Sequence, residues 1–471
     1  MKKLLCIALV LVMVLGLCAC GGEGSGDTGN KAEGLQVGFG REKIMPSTNL
    51  TLGGSGTADR ESNGYLDNLY VTCIAITDEA GQTVLVYTHD LLNSDDSYVK
   101  PAKEKISEAT GIAIDHIMVA ATHTHAAPSI TNLSLPNMEA YREVYYTGAV
   151  KAAETALADR SAAEIAVGTA DATGYAFSRH YVMADGSIEK TPGSTANPVS
   201  HPDDPDDEIQ IVKFARGAED KKDIVLMSFN VHPTFNGQAT KKQISADFPG
   251  PTRDYIEANS DTLVAYFTGA AGNQSGDSDI RSEAHNLDYR AYGQKLGQLV
   301  LDALPGLTAM ESGSVELKSQ TYTGTANKAK LDKLPQAKEI SAAYSQGGEA
   351  ACNPLCAQYG IDSVWEANAI IRRSTTGDTI SMPLSALSIG ELSFIFAPYE
   401  MFGTTSMYIK EKTSYDMTFV ISCANGSNGY LPTEKAYDYN VYESFVTNFA
   451  CGTAEDLADT FLEMLAQLKN A

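Results

Sequence analysis

The sequence predicts an α/β protein: a single large mixed α/β domain with a β-sheet core flanked by helices and an active site at the C-terminal ends of strands. Three observations carry that prediction. Short apolar runs bounded by turn residues alternate with longer stretches of helical periodicity. Polar side chains of catalytic type recur where the apolar runs end. No repeat of solenoid period and no late linker divides the chain.

The 471 residues suffice for a large core. With 43% hydrophobic and 20% charged residues the composition is that of an ordinary globular protein. The net charge of −24 excludes a basic nucleic-acid footprint. It would also be repelled by anionic lipid headgroups, so charge does not hold this protein to a membrane.

The first residues supply another route. Met1–Lys3 is a short basic region, and Leu4 to Leu17 is an apolar stretch of signal-peptide length, too short for a stable span. Leu17–Cys18–Ala19–Cys20 resembles the bacterial lipobox, which predicts a signal peptide over residues 1–19 and a lipidated Cys20. Residues 20–34 read as a flexible Gly/Ser-rich tether, and the folded domain as residues 35–471. The expected location is an exported lipoprotein anchored at the bacterial cell surface or periplasm-facing membrane. Export permits disulfides. Five cysteines lie beyond Cys20, an odd number, with Cys352–Cys356 and Cys423–Cys451 as the possible pairs with Cys73 left over. No Cys-x-x-Cys motif points to a thiolate zinc cluster.

Taken in order, Leu35–Gly40 is the first strand. The loop through Gly53, Gly54 and Gly56 lacks phosphate-loop spacing and reads as irregular wall or turn. Leu69–Ile76 and Thr83–Tyr87 form a hairpin about Asp78–Gly81 that runs on into Thr88–His89–Asp90. Val99 to Thr110 is a helix closed by Gly111, and Ile117–Val119 the next strand. Met138 to Leu157 is a helix and Ala163 to Gly168 a strand. Gly174 to His201 is loop-rich, and Asp203–Glu208 is a solvated acidic turn without calcium-loop spacing. Ile209–Ala215 and Asp223–Asn230 pair as strands. Phe248–Asn259 is a helix, Leu263–Phe267 a buried strand that empties into a small-residue loop from Thr268 to Asp277, and Leu287–Ala303 a helix. Val315–Gly324 begins the second half. A charged helix over Ala326–Gly347, a loop at Cys352–Cys356 and a helix around Ile361–Arg372 follow. Strands at Thr379–Leu387, Leu392–Ala397 and Met417–Ser422, an aromatic loop at Tyr437–Glu443 and a helix over Glu455–Leu468 complete the chain.

The strand from Ile117 leads into Thr122–His123–Thr124–His125, with Pro128 beyond. If the strand persists, its two-residue period aims both imidazoles at one face, which suits a metal site. His232 stands at another strand end before Pro233, and Glu400 at a third. Two histidines and a carboxylate are a zinc-type set with room for water, whose pKa zinc lowers toward about 7. Arg179, Tyr430 and Tyr442 could stabilise an oxyanion. The remaining histidines and Trp365 have structural readings: His89 and Asp90 as a strand-end cap, His180 and His201 as solvated loop residues, His116 as exposed, and Trp365 as core.

The ordered set of segments resembles the neutral/alkaline (non-lysosomal) ceramidase family, over its N-terminal catalytic domain. The matching pieces are Val37–Gly38, Thr122–His125 with Pro128, Ser178–Arg179, Asn230–Pro233, Gly269–Ser275, Pro398–Glu400, Gly429–Tyr430 and Tyr442–Glu443. The resemblance implies one Zn²⁺ per chain held by His123, His232, Glu400 and Tyr430, with His125, Arg179, Tyr442 and Ser275 as catalytic or substrate-contacting residues. It implies hydrolysis of an N-acyl amide, ceramide or a related N-acyl lipid, by attack of zinc-bound hydroxide. It implies a lipid-like partner and no nucleic acid, and leaves the oligomeric state open. The sequence departs from the family at several points. Ala126 and Ala127 follow His125 where Ser-Gly is usual, Ser178 replaces Asn, Asn273 and Gly276 alter the serine loop, Tyr399 replaces Gly, and the C-terminal immunoglobulin-like domain is not expected. Two other functions fit the same residues: a ligand-binding surface lipoprotein that has lost turnover, and a metallohydrolase of esters or other amides.

Overall fold

Period-two alternation decides which layer each strand joins. β1 (Gln36–Lys43), β2 (Tyr70–Thr77) and β3 (Thr83–His89) form a meander, and α1 (Asp96–Thr110) crosses to β4 (Ile117–Ala121), parallel to β3. α2 (Met138–Ala158) returns the chain to β5 (Ser161–Asp171). Three two-residue strands, β6 (Phe177–Ser178), β7 (Tyr181–Val182) and β8 (Ile188–Glu189), lie in the stretch expected to be loop. β9 (Glu208–Arg216) and β10 (Asp223–Phe229) pair antiparallel, and α3 (Pro249–Asn259) leads to β11 (Thr262–Thr268), parallel to β10. β12 (Gln274–Ser275), α4 (Tyr289–Ala303) and β13 (Thr308–Met310) follow. The second half runs β14 (Val315–Thr325), α5 (Leu334–Tyr359), α6 (Val364–Thr375), β15 (Thr379–Ile389), β16 (Leu392–Phe396), β17 (Glu400–Met401), α7 (Gly403–Lys412), β18 (Met417–Ile421), β19 (Tyr430–Leu431), α8 (Glu434–Tyr439), α9 (Tyr442–Val446) and α10 (Thr453–Lys469).

These elements belong to a computed structural model that describes residues 34–54, 60–189, 199–235, 241–276, 284 and 286–470, all within one compact unit, Ala32–Ala471. The expected signal peptide, Cys20, the tether up to residue 33, Gly56 and Asp277 lie outside the described residues. Among the described residues no helix is long and apolar enough to cross a membrane.

Nine strands make one sheet in the order β11-β10-β9-β5-β1-β2-β3-β4, with β13 beside β5, and β14-β15-β16-β18 make a second. On β2, Val71, Cys73 and Ala75 turn toward α1 and α2, while Ile74 and Ile76 turn inward. On β10, Val225, Met227 and Phe229 meet α3 and α4, while Ile224 and Leu226 turn inward. The inward set packs on Leu387, Ile389, Phe394, Phe396, Phe419 and Ile421 of the second sheet. Its other face, Leu384, Ala386, Ile395 and Val420, packs under Phe461, Met464 and Leu468 of α10. The result is four layers, helices outside and two sheets within, the mixed α/β class expected.

The first sheet bends until its two end strands, β4 and β11, lie side by side. Thr268 Oγ1 donates to Thr122 O at 2.7 Å and Thr88 Oγ1 to Tyr266 O at 2.6 Å. The chain leaving β18 bonds to both ends. Ser422 N donates to Thr268 O at 2.9 Å, Ala121 N to Cys423 O at 3.1 Å, and Asn425 N to Val119 O at 2.8 Å. Buried Asp90 is more than a strand-end cap: it accepts from Arg253 Nη1 and Nη2, each at 2.7 Å, and from Tyr70 N at 2.9 Å.

Several local expectations change. The second-half helix begins at Leu334 and continues to Tyr359, bending at Gly347 and Gly348. Cys352 and Cys356 therefore lie on α5, not in a loop. All five cysteines beyond Cys20 are free thiols, so neither of the two possible pairings is made. The aromatic loop is two short helices, α8 and α9. The acidic turn is not wholly solvated: Asp206 is buried and paired with Lys410 Nζ at 2.8 Å. His116 is half-buried, with Nδ1 2.9 Å from Thr83 O. Trp365 packs beside the α5–α6 cluster, edge-on to Tyr344.

Candidate metal centre

The centre forms where the joined ends of the first sheet meet the second. β4 stops at Ala121, and the chain then bonds to the segment leaving β3: Thr122 N to His89 O at 2.9 Å, His123 N to Leu91 O at 3.0 Å. His123 has φ 64°, a left-handed conformation that non-glycine residues adopt at a cost. Strand alternation therefore does not aim the two imidazoles, as the sequence suggested; the turn at His123 does. His232 follows β10 and is fixed by its N donating to Gln274 O at 3.2 Å. Glu400 and Tyr430 are directly paired residues of β17 and β19, with Glu400 N donating to Gly429 O at 2.9 Å.

Five side chains meet. His123 Nε2 lies 3.0 Å from His232 Nε2 and 3.4 Å from His125 Nε2. Glu400 Oε2 lies 3.3 Å from Nε2 of both His123 and His232. Tyr430 Oη lies 3.5 Å from His232 Nε2. Ligand atoms of the three histidines fall within 4.8 Å of one another, a cluster able to hold a metal ion.

Hydrogen bonds assign the tautomers. His123 Nδ1 is 2.5 Å from Leu92 O, and His232 Nδ1 is 2.7 Å from Ala271 O. A carbonyl only accepts, so both Nδ1 atoms carry a proton and the two Nε2 atoms are the ones that face each other. At 3.0 Å these two atoms need a cation between or near them, either a proton on His123 Nε2 or a metal ion bound by both. Glu400 Oε2 beside them is buried without a hydrogen-bond partner. Donors about 2.0–2.1 Å from a tetrahedral ion stand roughly 3.3–3.4 Å apart, close to the spacings here. Such carbonyl bonds are the usual means of orienting a ligating imidazole. Among the described residues none orients His125.

Electrostatics follow from burial and from these neighbours. Burial, with Arg179 next, holds His232 down at about 4. Burial, with the other two imidazoles, holds His125 well below the ordinary histidine value, so it is neutral. Burial opposes charge on His123 as well, but Cys423 and Glu400 beside it raise its pKa well above the ordinary value. Glu400 is held well below the carboxylate range by His123 and His232 in spite of burial. Tyr442 is raised to about 12 by burial against the opposing pull of Arg179, so its hydroxyl is a neutral donor at physiological pH.

Arg179 does not stand alone. Its Nε and Nη2 donate to Glu443 Oε1 at 2.8 and 2.5 Å, and Glu443 Oε2 lies 2.8 Å from His180 Nε2. His180 is fully buried, not the solvated loop histidine expected from sequence, because this carboxylate holds it. The guanidinium lies 5.3 Å from the Tyr430 ring centre, and the Tyr442 ring lies 6.0 Å from that of Tyr430. His201 is half-buried, with Nδ1 2.9 Å from His180 O. Ser275 sits on β12 opposite Phe177; like Arg179, Tyr442 and His232 it is not among the residues lining the cavity beside His123 and His125. Its neighbour Gln274 joins Asn230 O and Asp206 O through Nε2 at 2.7 and 3.0 Å. Glu443, His180 and Gln274 escaped the sequence reading, although Tyr442–Glu443 and Ser178–Arg179 had drawn attention to the two segments that meet.

A cavity of about 150 Å³ opens against His123, His125 and Glu400, lined also by Gly54, Leu92, Asn93, Tyr399, Cys423 and the 426–430 turn.

No protein-family model matches the chain, and no curated protein matches it. Solved structures do. Neutral ceramidase from Pseudomonas aeruginosa superposes with a TM-score of 0.69 at 17% identity, over 93% of this chain and 75% of that one. A ceramidase complexed with C2 gives a TM-score of 0.69 at 16% identity with the same coverage. The chain thus has the neutral ceramidase fold, as its motifs led one to expect.

Proposed function

We propose that this chain, built on the neutral ceramidase fold, is a zinc-dependent hydrolase of N-acyl amide bonds. The observation that carries the proposal is the pair of backbone-locked imidazoles, Nε2 atoms 3.0 Å apart, beside a buried carboxylate oxygen with no hydrogen-bond partner. His123, His232 and Glu400 would hold the ion, with Tyr430 reaching the same point. A bound zinc polarises a carbonyl and brings the pKa of water toward about 7. The protein's own groups complete the chemistry. Arg179, fixed by Glu443, and neutral Tyr442 supply positive charge and a donor for the carbonyl oxygen as it becomes anionic. Neutral His125, with Nε2 3.4 Å from that of His123, is placed to accept a hydrogen bond from water or from the amide at the centre. The assignment to amides comes from the ceramidases whose fold the chain shares.

The test is metal analysis with an amidase assay. We expect about one zinc per chain, hydrolysis of N-acyl amines, and loss of both in His123→Ala and His232→Ala. A wild-type protein that takes up no zinc, or a His123→Ala variant with full activity, overturns the proposal. Membrane attachment through a lipidated Cys20 belongs to the same proposal and rests on the lipobox-like residues Leu17–Cys20. Labelling with a radioactive fatty acid in cells, lost in Cys20→Ala, checks it.

A further inference from the structure

We infer that the outer side of β14 is a docking surface for a second copy of this chain, the two β14 strands lying antiparallel about a two-fold axis at Gln320. β14 is an end strand of the second sheet. It pairs with β15 over 11 residues without a bulge, from Val315 opposite Ile389 to Thr325 opposite Thr379. In such a pair the backbone groups of alternate residues point toward the neighbouring strand and away from it. Three observations fix which do which. Val315 N donates to Asp78 Oδ2 at 2.9 Å and Val315 O accepts from Gln82 Nε2 at 2.6 Å, so its groups point away from β15. Thr325 O likewise accepts from Ala450 N at 3.0 Å. Pro383, with no N–H to give, stands opposite Thr321. The odd-numbered residues of β14 therefore face outward, and both ends of the row are served from within the molecule. Between them, the N–H and C=O groups of Leu317, Ser319, Thr321 and Thr323 have no hydrogen-bond partner among the described residues. Ser319, Thr321 and Thr323 are exposed.

A second β14 answers this row. With Gln320 opposite its own copy, Leu317 faces the partner's Thr323 and Ser319 the partner's Thr321. Each such pair exchanges both of its bonds, about eight in all, and every outward group is used. Sliding the pairing by two residues would set Thr323 against Val315, or Leu317 against Thr325, whose groups are already bonded within the molecule. Charge favours the same register. Tyr322 packs on the α10 side of the sheet, and Lys318 shares that face by the two-residue period. In this register Lys318 comes opposite the partner's Tyr322, and the contact is made twice. Tyr322 Oη donates to Asp456 Oδ2 at 2.5 Å, so each lysine meets an aromatic ring with a carboxylate at its edge. Among the described residues Lys318 has no salt bridge of its own. An unrelated extended peptide could fill the row of backbone groups, but only a copy of β14 brings both the cation and the ring with it. Two chains of net charge −24 repel one another and the contact is one strand wide, so the dimer is weak, with a Kd on the order of 10 µM.

Sedimentation velocity of the purified protein, from about 1 to about 200 µM, tests the inference, and a monomer that passes to a dimer over that range is expected. Thr321→Pro removes one outward N–H and leaves the bonds to β15 in place, so it should keep the wild-type Tm and weaken the dimer at least about 10-fold. Lys318→Glu sets a carboxylate against the partner's Asp456 and should weaken it about 10-fold. Gln320→Cys, with exposed Cys451 changed to Ser, should oxidise to a reducible dimer, because the axis passes through that residue. Thr323→Cys in the same background should not, since its partner copy lies at the far end of the paired strands. A protein that stays monomeric throughout overturns the inference and leaves the row to a strand of another protein. A Thr321→Pro variant with the wild-type Tm that dimerises as tightly as wild type also overturns it, as does cross-linking at Thr323→Cys as ready as at Gln320→Cys.

Discussion

Replacing Glu443 with Gln separates the buried charge network from the metal ligands. The carboxylate is fully buried, takes both guanidinium bonds from Arg179, and holds His180. Burial alone would raise its pKa, but Arg179 and His180 hold it down at about 2. Gln keeps the shape and loses the charge, so the Arg179 cation is left in the interior without a counter-ion. Breaking a buried pair from one side costs about 3–5 kcal/mol. The pKa provides a second route: a fall from an ordinary value near 4.3 to about 2 is worth roughly 3 kcal/mol at neutral pH. With an unfolding entropy of about 2.1 cal/mol/K per residue over Ala32–Ala471, the loss corresponds to a drop in Tm of roughly 3–5 °C. The sign in pH follows from the depressed value. The carboxylate's contribution is complete above about pH 4.5 and disappears as the pH falls through about 2. Paired thermal melts of wild type and Glu443→Gln, from about pH 7 down to about pH 2.5, should therefore show a gap that closes on acidification. Equal melting temperatures at neutral pH, or a gap that stays constant below about pH 4, would refute the assignment.

Gly54→Ala should lower kcat with zinc content unchanged, because the new methyl meets the His125 ring at a residue with φ +88°; stability should fall by about 1–3 kcal/mol, read from denaturant melts. Chelation should lower the melting temperature and re-added zinc restore it, the gain reaching about 2.7 kcal/mol at zinc 100 times its Kd. Thiol titration of Ala32–Ala471 should modify exposed Cys451 quickly and Cys73, Cys352, Cys356 and Cys423 after denaturation, since those four are buried. Identical mobility with and without reductant would accompany that result, and a slow or missing reaction at Cys451 would contradict it.

Much of the fold was legible because many strands are apolar on both faces. Tyr70–Thr77, Thr83–His89 and Thr262–Thr268 are buried almost throughout, and such runs stand out between turn residues. The residues that gather at the centre were visible for a related reason: His123 and His232 stand where apolar runs end and Glu400 lies just past another, whereas Tyr430 stood out only by its place in the family-like order of segments. What remained hidden depended on distant partners. His180 looked solvated because Glu443, 263 residues away, is what buries it. Asp206 looked solvated because Lys410, 204 residues away, neutralises it. α5 was cut short because Gly347, Gly348 and Pro354 are breakers by local rules, and the helix bends at the glycines and continues past them. The left-handed turn at His123 had only a weak local signal: histidine is enriched at φ > 0, but such residues are uncommon and the apolar run before it suggested a continuing strand.

The joining of β4 to β11 bears on solubility as much as on chemistry. A nine-stranded sheet left open would present two rows of unpaired backbone groups, templates for pairing with another chain. Here Cys423 and Asn425 bond to Ala121 and Val119 along β4, Ser422 bonds to Thr268 at the end of β11, and the side chains of Thr88 and Arg41 reach Tyr266 O and Val264 O along the rest of it. The segment that caps both edges also carries Cys423 into the histidine cavity and leads directly to Tyr430. Substitutions that loosen this stretch would therefore uncover aggregation-prone edges at the same moment that they open the centre. Selection against aggregation and selection for the centre then act on the same few residues.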